Sequence, residues 1–314
     1  MELNPTHTAF LFPGQGSQAS GMGLALAMEY PTANEIFAQA DQILEFSISQ
    51  TAWGGPAEAL DDTLNTQPAL LVHSVASLRV FQELYPEFSP AYTAGHSMGE
   101  VSALVACGAL DYAAALRLAR RRGEEMKQAG QLNPGGMAAI LGLDIPTLEG
   151  LCAQASQPGE VVQVANDNCP GQVVVSGASP ALERLVELAK AAGARRALKL
   201  AVSIAAHSPL MSHAQAGFNQ AVDAAAIQNP RLPLIGNVSA RPLDTAAAIR
   251  ADLQAQLNSR VRWTETIQWM AGQGIDTYLE LGSGSVLCGL VKRIQPEATC
   301  LALGTPEDFQ KLGA

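Results

Sequence analysis

The sequence has no long apolar run, few cysteines and little positive charge, and each shortage excludes something. No stretch approaches the uninterrupted apolar length that a membrane crossing needs, although 48% of the 314 residues are hydrophobic. The five cysteines, Cys107, Cys152, Cys169, Cys288 and Cys300, are widely spaced, with no C-x-x-C and no histidines at ligand spacing. That pattern argues against a metal site and against a disulfide framework, and it reads as reduced cytosolic thiols. Charged residues make up only 15%, with 19 Lys and Arg against 29 Asp and Glu and a formal net charge of −10. Such a chain offers no general positive field to nucleic acid or to an anionic membrane surface, so neither is expected as a partner. Residues 1–8 show no basic start before an apolar run. No secretory signal is therefore expected, and the reading is a cytoplasmic globular protein.

What is present centres on Gly95-His96-Ser97-Met98-Gly99, a G-x-S-x-G stretch with a short strand before it at 92–94 and a helix after it from about 100 to 106. Glycines on either side of a serine let the backbone turn sharply from strand to helix and leave little bulk around the hydroxyl. The Met98 amide then lies at the start of the helix. There an unpaired N–H and the positive end of the dipole can stabilise a developing oxyanion.

Upstream, the apolar run 8–12 reads as a buried parallel strand opening into Pro13-Gly14-Gln15-Gly16-Ser17-Gln18. Loops at the carboxyl ends of strands make the sites of open α/β sheets, so Gln15 can bring its amide towards Ser97. The glycines of this loop match a dinucleotide fingerprint only loosely, and no acidic residue follows at the fitting distance. Helices are expected at 31–43 and 68–84, the second capped by Thr66 with Pro68 in an early position. A further helix at 112–127 carries Arg117, Arg120, Arg121 and Arg122. Helical spacing aligns Arg122 with Leu118 and Met126, whereas Arg117 and Arg121 share a line with Glu124 and Glu125. A guanidinium inside an apolar stripe needs a partner, and its planar fork suits a carboxylate. That carboxylate belongs either to a substrate or to an internal Asp or Glu.

Beyond Gly135 the pattern becomes βαββαβ: strands at 137–143, 161–165, 172–176 and 197–201, helices at 146–154 and 179–192, and a turn at Asn168-Cys169-Pro170-Gly171. This is the ferredoxin-like order, a four-stranded antiparallel sheet with two helices. It is expected as a small inserted domain at 132–202. Residues 1–131 and 203–314 then make a large α/β domain with a largely parallel sheet, adding strands at 234–238 and 277–281 and helices at 249–257, 264–272 and after Ser283. His207 precedes a helix start at Pro209 and can face the cleft between the domains. Of the five histidines it is the first candidate for a general base, with His96 second.

Eight stretches carry a resemblance along nearly the whole chain: Phe12 to Gln18, Thr66-Gln67-Pro68-Ala69, Gly95 to Glu100, Arg122-Gly123, Asn168-x-Pro170-Gly171-Gln172, His207-Ser208-Pro209-Leu210-Met211, 256–263 and Glu280-Leu281-Gly282. Together they resemble malonyl-CoA:acyl carrier protein transacylases and the related acyltransferase domains of polyketide synthases. The resemblance implies a hydrolase-like α/β core with a ferredoxin-like insertion. It implies Ser97 as nucleophile, His207 as base, Gln15 with the Met98 amide as oxyanion hole, and Arg122 on the malonyl carboxylate, with His96, Gln67, Asn168 and Gln256 in support. The histidine of the family is oriented by a main-chain carbonyl near Gln256, which accounts for the missing third acid. No cofactor or metal is implied; malonyl-CoA is the substrate and an acyl carrier protein the partner, in fatty acid or polyketide biosynthesis.

Three alternatives stay open: a hydrolase clearing acyl groups from carrier proteins, a transferase accepting methylmalonyl because Ala206 is small, and a docking module without catalysis. The basic residues Arg195, Arg196, Lys199, Lys292 and Arg293 could meet an acidic carrier or the coenzyme A phosphates. The tail after Thr305 shows no fused carrier, so a discrete enzyme is expected.

Overall fold

The computed structural model describes residues 3–313. Among these, nine strands appear in chain order: β1 (Thr8–Phe12), β2 (Tyr92–Gly95), β3 (Gly135–Leu141), β4 (Val162–Cys169), β5 (Gln172–Ala178), β6 (Arg196–Lys199), β7 (Leu234–Ile235), β8 (Thr277–Leu281) and β9 (Thr299–Leu303). The run Thr-Ala-Phe-Leu-Phe of β1 does not alternate, and every residue of it is buried. A strand covered by helices on both faces requires this. It lies at the centre of an all-parallel sheet ordered β7-β2-β1-β8-β9. Phe12 pairs with Gly95, so β1 and β2 end side by side and release their following loops at one place.

The helix expected at 68–84 starts earlier than the sequence suggests. It spans Thr63–Leu84 and is capped by Asp62, whose side chain accepts from Leu64 N–H, while Thr66 lies inside it and bonds back to the Leu60 carbonyl. Pro68 consequently falls in the helix interior, where it cannot donate to the carbonyl of Leu64. Arg120 Nη1 supplies the missing donor at 3.1 Å. A tertiary contact thus allows a proline that local rules would place at the first turn.

The second sheet is antiparallel, ordered β4-β5-β3-β6. Helices Ile145–Ala155 and Ser179–Ala191 cover it, and Ile140, Leu148, Val175 and Leu185 belong to a core separate from that of the parallel sheet. β4 runs further than the 161–165 expected. Irregularities after Val164 and Asp167 carry the strand through three polar residues to Cys169, so Asn168 lies on the strand and only Pro170-Gly171 turns. Conversely, β7 ends at Ile235 and frees Asn237 from the ladder.

The reading of all five cysteines as thiols is corrected at one pair. Cys288 and Cys300 are disulfide-bonded, with Cα atoms 5.2 Å apart, whereas Cys107, Cys152 and Cys169 are free and buried. β9 was not foreseen from the sequence, and it is β9, paired in parallel with β8, that brings Cys300 beside the helix Val286–Ile294. No spacing rule signals such a pair. Among the described residues no helix is long and apolar enough to cross a membrane.

Candidate active site

The elbow is fixed by close backbone approach. A Cβ at Gly95 would stand 2.0 Å from Gly99 main-chain atoms, and one at Gly99 2.1 Å from the Phe12 carbonyl, so only glycine fits either position. Between them Ser97 is held at φ +53°, a left-handed conformation that costs a non-glycine residue energy and persists only when its surroundings impose it. Asn237 does the imposing: its Oδ1 accepts from Ser97 N–H at 2.7 Å and its Nδ2 donates to the Gly95 carbonyl at 2.7 Å. Because β7 stops short, this side chain is delivered at the carboxyl edge of the sheet.

His207 also has a positive φ, +59°. Its Nε2 lies 2.8 Å from Ser97 Oγ and its Nδ1 2.9 Å from the main-chain carbonyl of Gln256. A carbonyl accepts only, so Nδ1 carries the proton and Nε2 is left to receive one from the serine. Burial above all, then the charge of Arg122, lowers the imidazole pKa to about 3, against the opposing pull of the Gln256 carbonyl. The ring is therefore a neutral base at physiological pH. From the second sheet, Gln163 Nε2 donates to the carbonyls of His207 and Asn258 at 2.8 and 3.1 Å, tying β4 to this loop.

Arg122 is 2% exposed and faces inward with Leu118 and Met126, as the helical spacing requires. Its Nη1 donates to Gln67 Oε1 at 2.9 Å; its Nη2 donates to Gln256 Oε1 at 2.8 Å and to Ser97 Oγ at 3.1 Å. Among the described residues no carboxylate forms a salt bridge with it. Of the two partners the sequence left open, the internal one is absent. Burial lowers this guanidinium to about pKa 10. It is still charged at neutral pH, oriented by two amides and aimed at the serine.

The loop after β1 lies against the elbow so tightly that a Cβ at Gly14 would stand 2.4 Å from the His96 carbonyl. Gln15 is exposed, and its Oε1 accepts from Thr63 Oγ1 at 3.0 Å. Among the described residues neither its N–H nor that of Met98 has an acceptor. A main-chain N–H braced by packing is a better preorganised donor than an exposed side-chain amide. The two main-chain N–H groups are therefore the free donors beside the serine, whereas the sequence pointed to the Gln15 side chain. Gln15→Ala, which keeps that N–H, should cost less than about tenfold in acylation rate, whereas loss of a side-chain donor would cost about 10². Rapid-quench acylation kinetics distinguish the two.

His96 Nε2 lies 2.8 Å from Asn168 Oδ1 and its ring meets Trp263 edge-on, so this histidine is engaged away from the serine hydroxyl. Gln67 is fully buried, its Nε2 on Thr63 Oγ1. All nine residues singled out in the sequence fall in one connected region. Asn237, Gln163 and Glu100 were missed. Asn237 lay inside the strand expected at 234–238, and only the early end of β7 exposes its role; nothing local marks Gln163.

The acyl transferase domain family matches residues 9–302. The malonyl CoA-acyl carrier protein transacylase of Bacillus subtilis is 44% identical over 302 residues, covering 96% of this chain and 95% of that protein. The solved structure of the malonyl CoA-acyl carrier protein transacylase from Coxiella burnetii superposes with TM-score 0.94 at 40% identity, over 98% of this chain and 97% of that one. A malonyl-transacylase solved in complex with a type II polyketide synthase acyl-carrier protein gives TM-score 0.93 at 40% identity, over 97% and 98%.

Proposed function

The chain belongs to the acyl transferase family, among the malonyl CoA-acyl carrier protein transacylases, and from that premise we propose how it moves malonyl from coenzyme A to a carrier protein's phosphopantetheine thiol. The observation that carries the reading is Arg122, a buried cation without a carboxylate partner whose Nη2 lies 3.1 Å from the serine oxygen. It is placed for an acyl group that itself bears a carboxylate.

Neutral His207 takes the proton of Ser97 as the hydroxyl oxygen attacks the malonyl thioester carbon. The carbonyl oxygen becomes an oxyanion facing the N–H groups of Gln15 and Met98. As the C–S bond breaks, His207 returns the proton to the coenzyme A sulfur and leaves malonyl esterified to Ser97. The carrier thiol then loses its proton to His207 and attacks the ester, and the serine recovers the proton on leaving. Every step uses side chains and N–H groups of this chain, so no cofactor enters. Residues 132–202 are taken as a small domain inserted into the large one. The reaction is placed in the cytoplasm.

Mass spectrometry of the protein mixed with malonyl-CoA, then with carrier protein bearing its phosphopantetheine arm, tests this. A malonyl adduct on Ser97 that moves to the carrier is expected. Release of free malonate with the carrier unloaded would make the enzyme a hydrolase. Ala206 is only partly buried, and the small side chain leaves room for an α-methyl group, so methylmalonyl-CoA is expected to be a slower second substrate. Equal or faster turnover of it in direct competition would reverse that order.

A further inference from the structure

Behind the nucleophile lies a buried acidic pair that the mechanism leaves unused. Glu100, the first residue after the elbow's last glycine, is fully buried, and Asp252 on the helix Ala246–Gln256 is 6% exposed. Glu100 Oε2 accepts from Gln256 Nε2, which also donates to the Ser97 carbonyl at 3.1 Å. Gln256 Oε1 receives Arg122 Nη2 at 2.8 Å. A carboxamide presents its oxygen to Arg122 only while its nitrogen faces acceptors. Rotated by half a turn, it would aim N–H groups at the guanidinium and leave Glu100 facing an oxygen.

We propose that Glu100 is a positioning residue for the substrate carboxylate: by holding Gln256 Nε2 it fixes the carboxamide whose Oε1 anchors Arg122, and Asp252 holds Glu100 in turn. The inference rests on the carboxylate role of Arg122 argued above. Glu100 Oε1 has no hydrogen-bond donor within reach, and Asp252 lies beside it. A proton on Oε1 resolves both facts, since Asp252 then accepts from it. Burial first, and the neighbouring Asp252 next, push the Glu100 carboxyl well above the usual carboxylate range. A neutral Glu100 leaves the positive charge of Arg122 uncompensated and available to a malonyl carboxylate. An ionised one would already hold that charge, and the incoming anion would meet repulsion instead.

The test measures kcat/KM for malonyl-CoA and acetyl-CoA in E100M, E100Q, D252A and R122A, with holo carrier protein as acceptor and melting temperatures alongside. E100M removes the acceptor and is expected to lower the malonyl value about 30-fold and the acetyl value less than about threefold, the loss of one hydrogen bond to a charged group's anchor. E100Q keeps an oxygen for Gln256 and offers N–H to Asp252. It should rescue the malonyl-to-acetyl ratio to within about threefold of the parent. Equal losses for both substrates in E100M would make the residue merely structural, and failure of E100Q to rescue would mean that an ionised carboxylate is needed; either overturns the proposal. Should E100M not fold, D252A, which deprives Oε1 of its acceptor, is expected to lower the ratio about fivefold, and an unchanged ratio there overturns it. R122A separates the premise. A ratio unchanged in R122A removes the carboxylate site itself, whereas a fall in R122A with none in E100M removes only the role of Glu100.

Discussion

Replacing His207 with alanine is expected to lower the rate of Ser97 acylation by roughly 10⁶-fold, the scale seen when nucleophile or base is removed from serine enzymes whose groups act as a unit. The ring contributes through position and charge state together. Its Nε2 lies 2.8 Å from Ser97 Oγ, and the Gln256 carbonyl fixes the tautomer that keeps this nitrogen unprotonated. A pKa lowered to about 3 has a direct consequence for pH dependence. The base gains a blocking proton only as pH falls towards that value, so kcat/KM should show no acid limb near the ordinary histidine pKa of about 6.5. Arg122→Ala removes a like charge and should move the limb upward. The double variant Ser97→Ala/His207→Ala should be scarcely slower than either single one. A loss below about tenfold in His207→Ala would place the base elsewhere. His96 is poorly suited to take over, since its Nε2 is committed to Asn168 and burial lowers its basicity.

The parts of this site written into local sequence are those that local sterics enforce. Gly95 and Gly99 announce an elbow because a Cβ on either would stand about 2 Å from neighbouring backbone. Arg122 could be read as inward from its spacing to Leu118 and Met126, and the βαββαβ order could be read from alternating patterns. What local sequence could not supply came from tertiary contacts. Thr63–Leu84 runs through Pro68 because Arg120 services the stranded Leu64 carbonyl. Asn237 reaches the elbow because β7 stops after two residues, and the disulfide depends on β9 pairing beside β8, a tertiary contact that brings Cys300 to Cys288. For Gln15 the loop was legible but the direction of its side chain, onto Thr63, was not. A loop can be placed by its glycines, yet whether its side chain or its N–H faces the reaction depends on packing against His96.

Substituting Arg122 by alanine is expected to lower kcat/KM for malonyl-CoA by about 10²–10³-fold, the 3–4 kcal/mol typical of losing one partner of a buried charge pair, while acetyl-CoA turnover changes far less. The pair in question exists only in the substrate complex. In the free protein the guanidinium is held by the oxygens of Gln67 and Gln256, neutral groups that orient it without neutralising it. Two results should follow that an ordinary buried salt bridge would not give. First, Arg122→Ala should melt close to the parent temperature, because deleting a buried charge without orphaning a carboxylate offsets the loss of a donor to the Gln67 and Gln256 oxygens. Second, Arg122→Lys should recover only part of the malonyl preference. An ammonium keeps the charge but lacks the planar fork that meets Gln67, Gln256 and the serine side of the site together. A thermal loss of several kcal/mol in Arg122→Ala with equal slowing of malonyl and acetyl transfer would instead mean that the cation is structural. Selectivity and stability therefore point in opposite directions for the two roles, and one set of purified variants separates them.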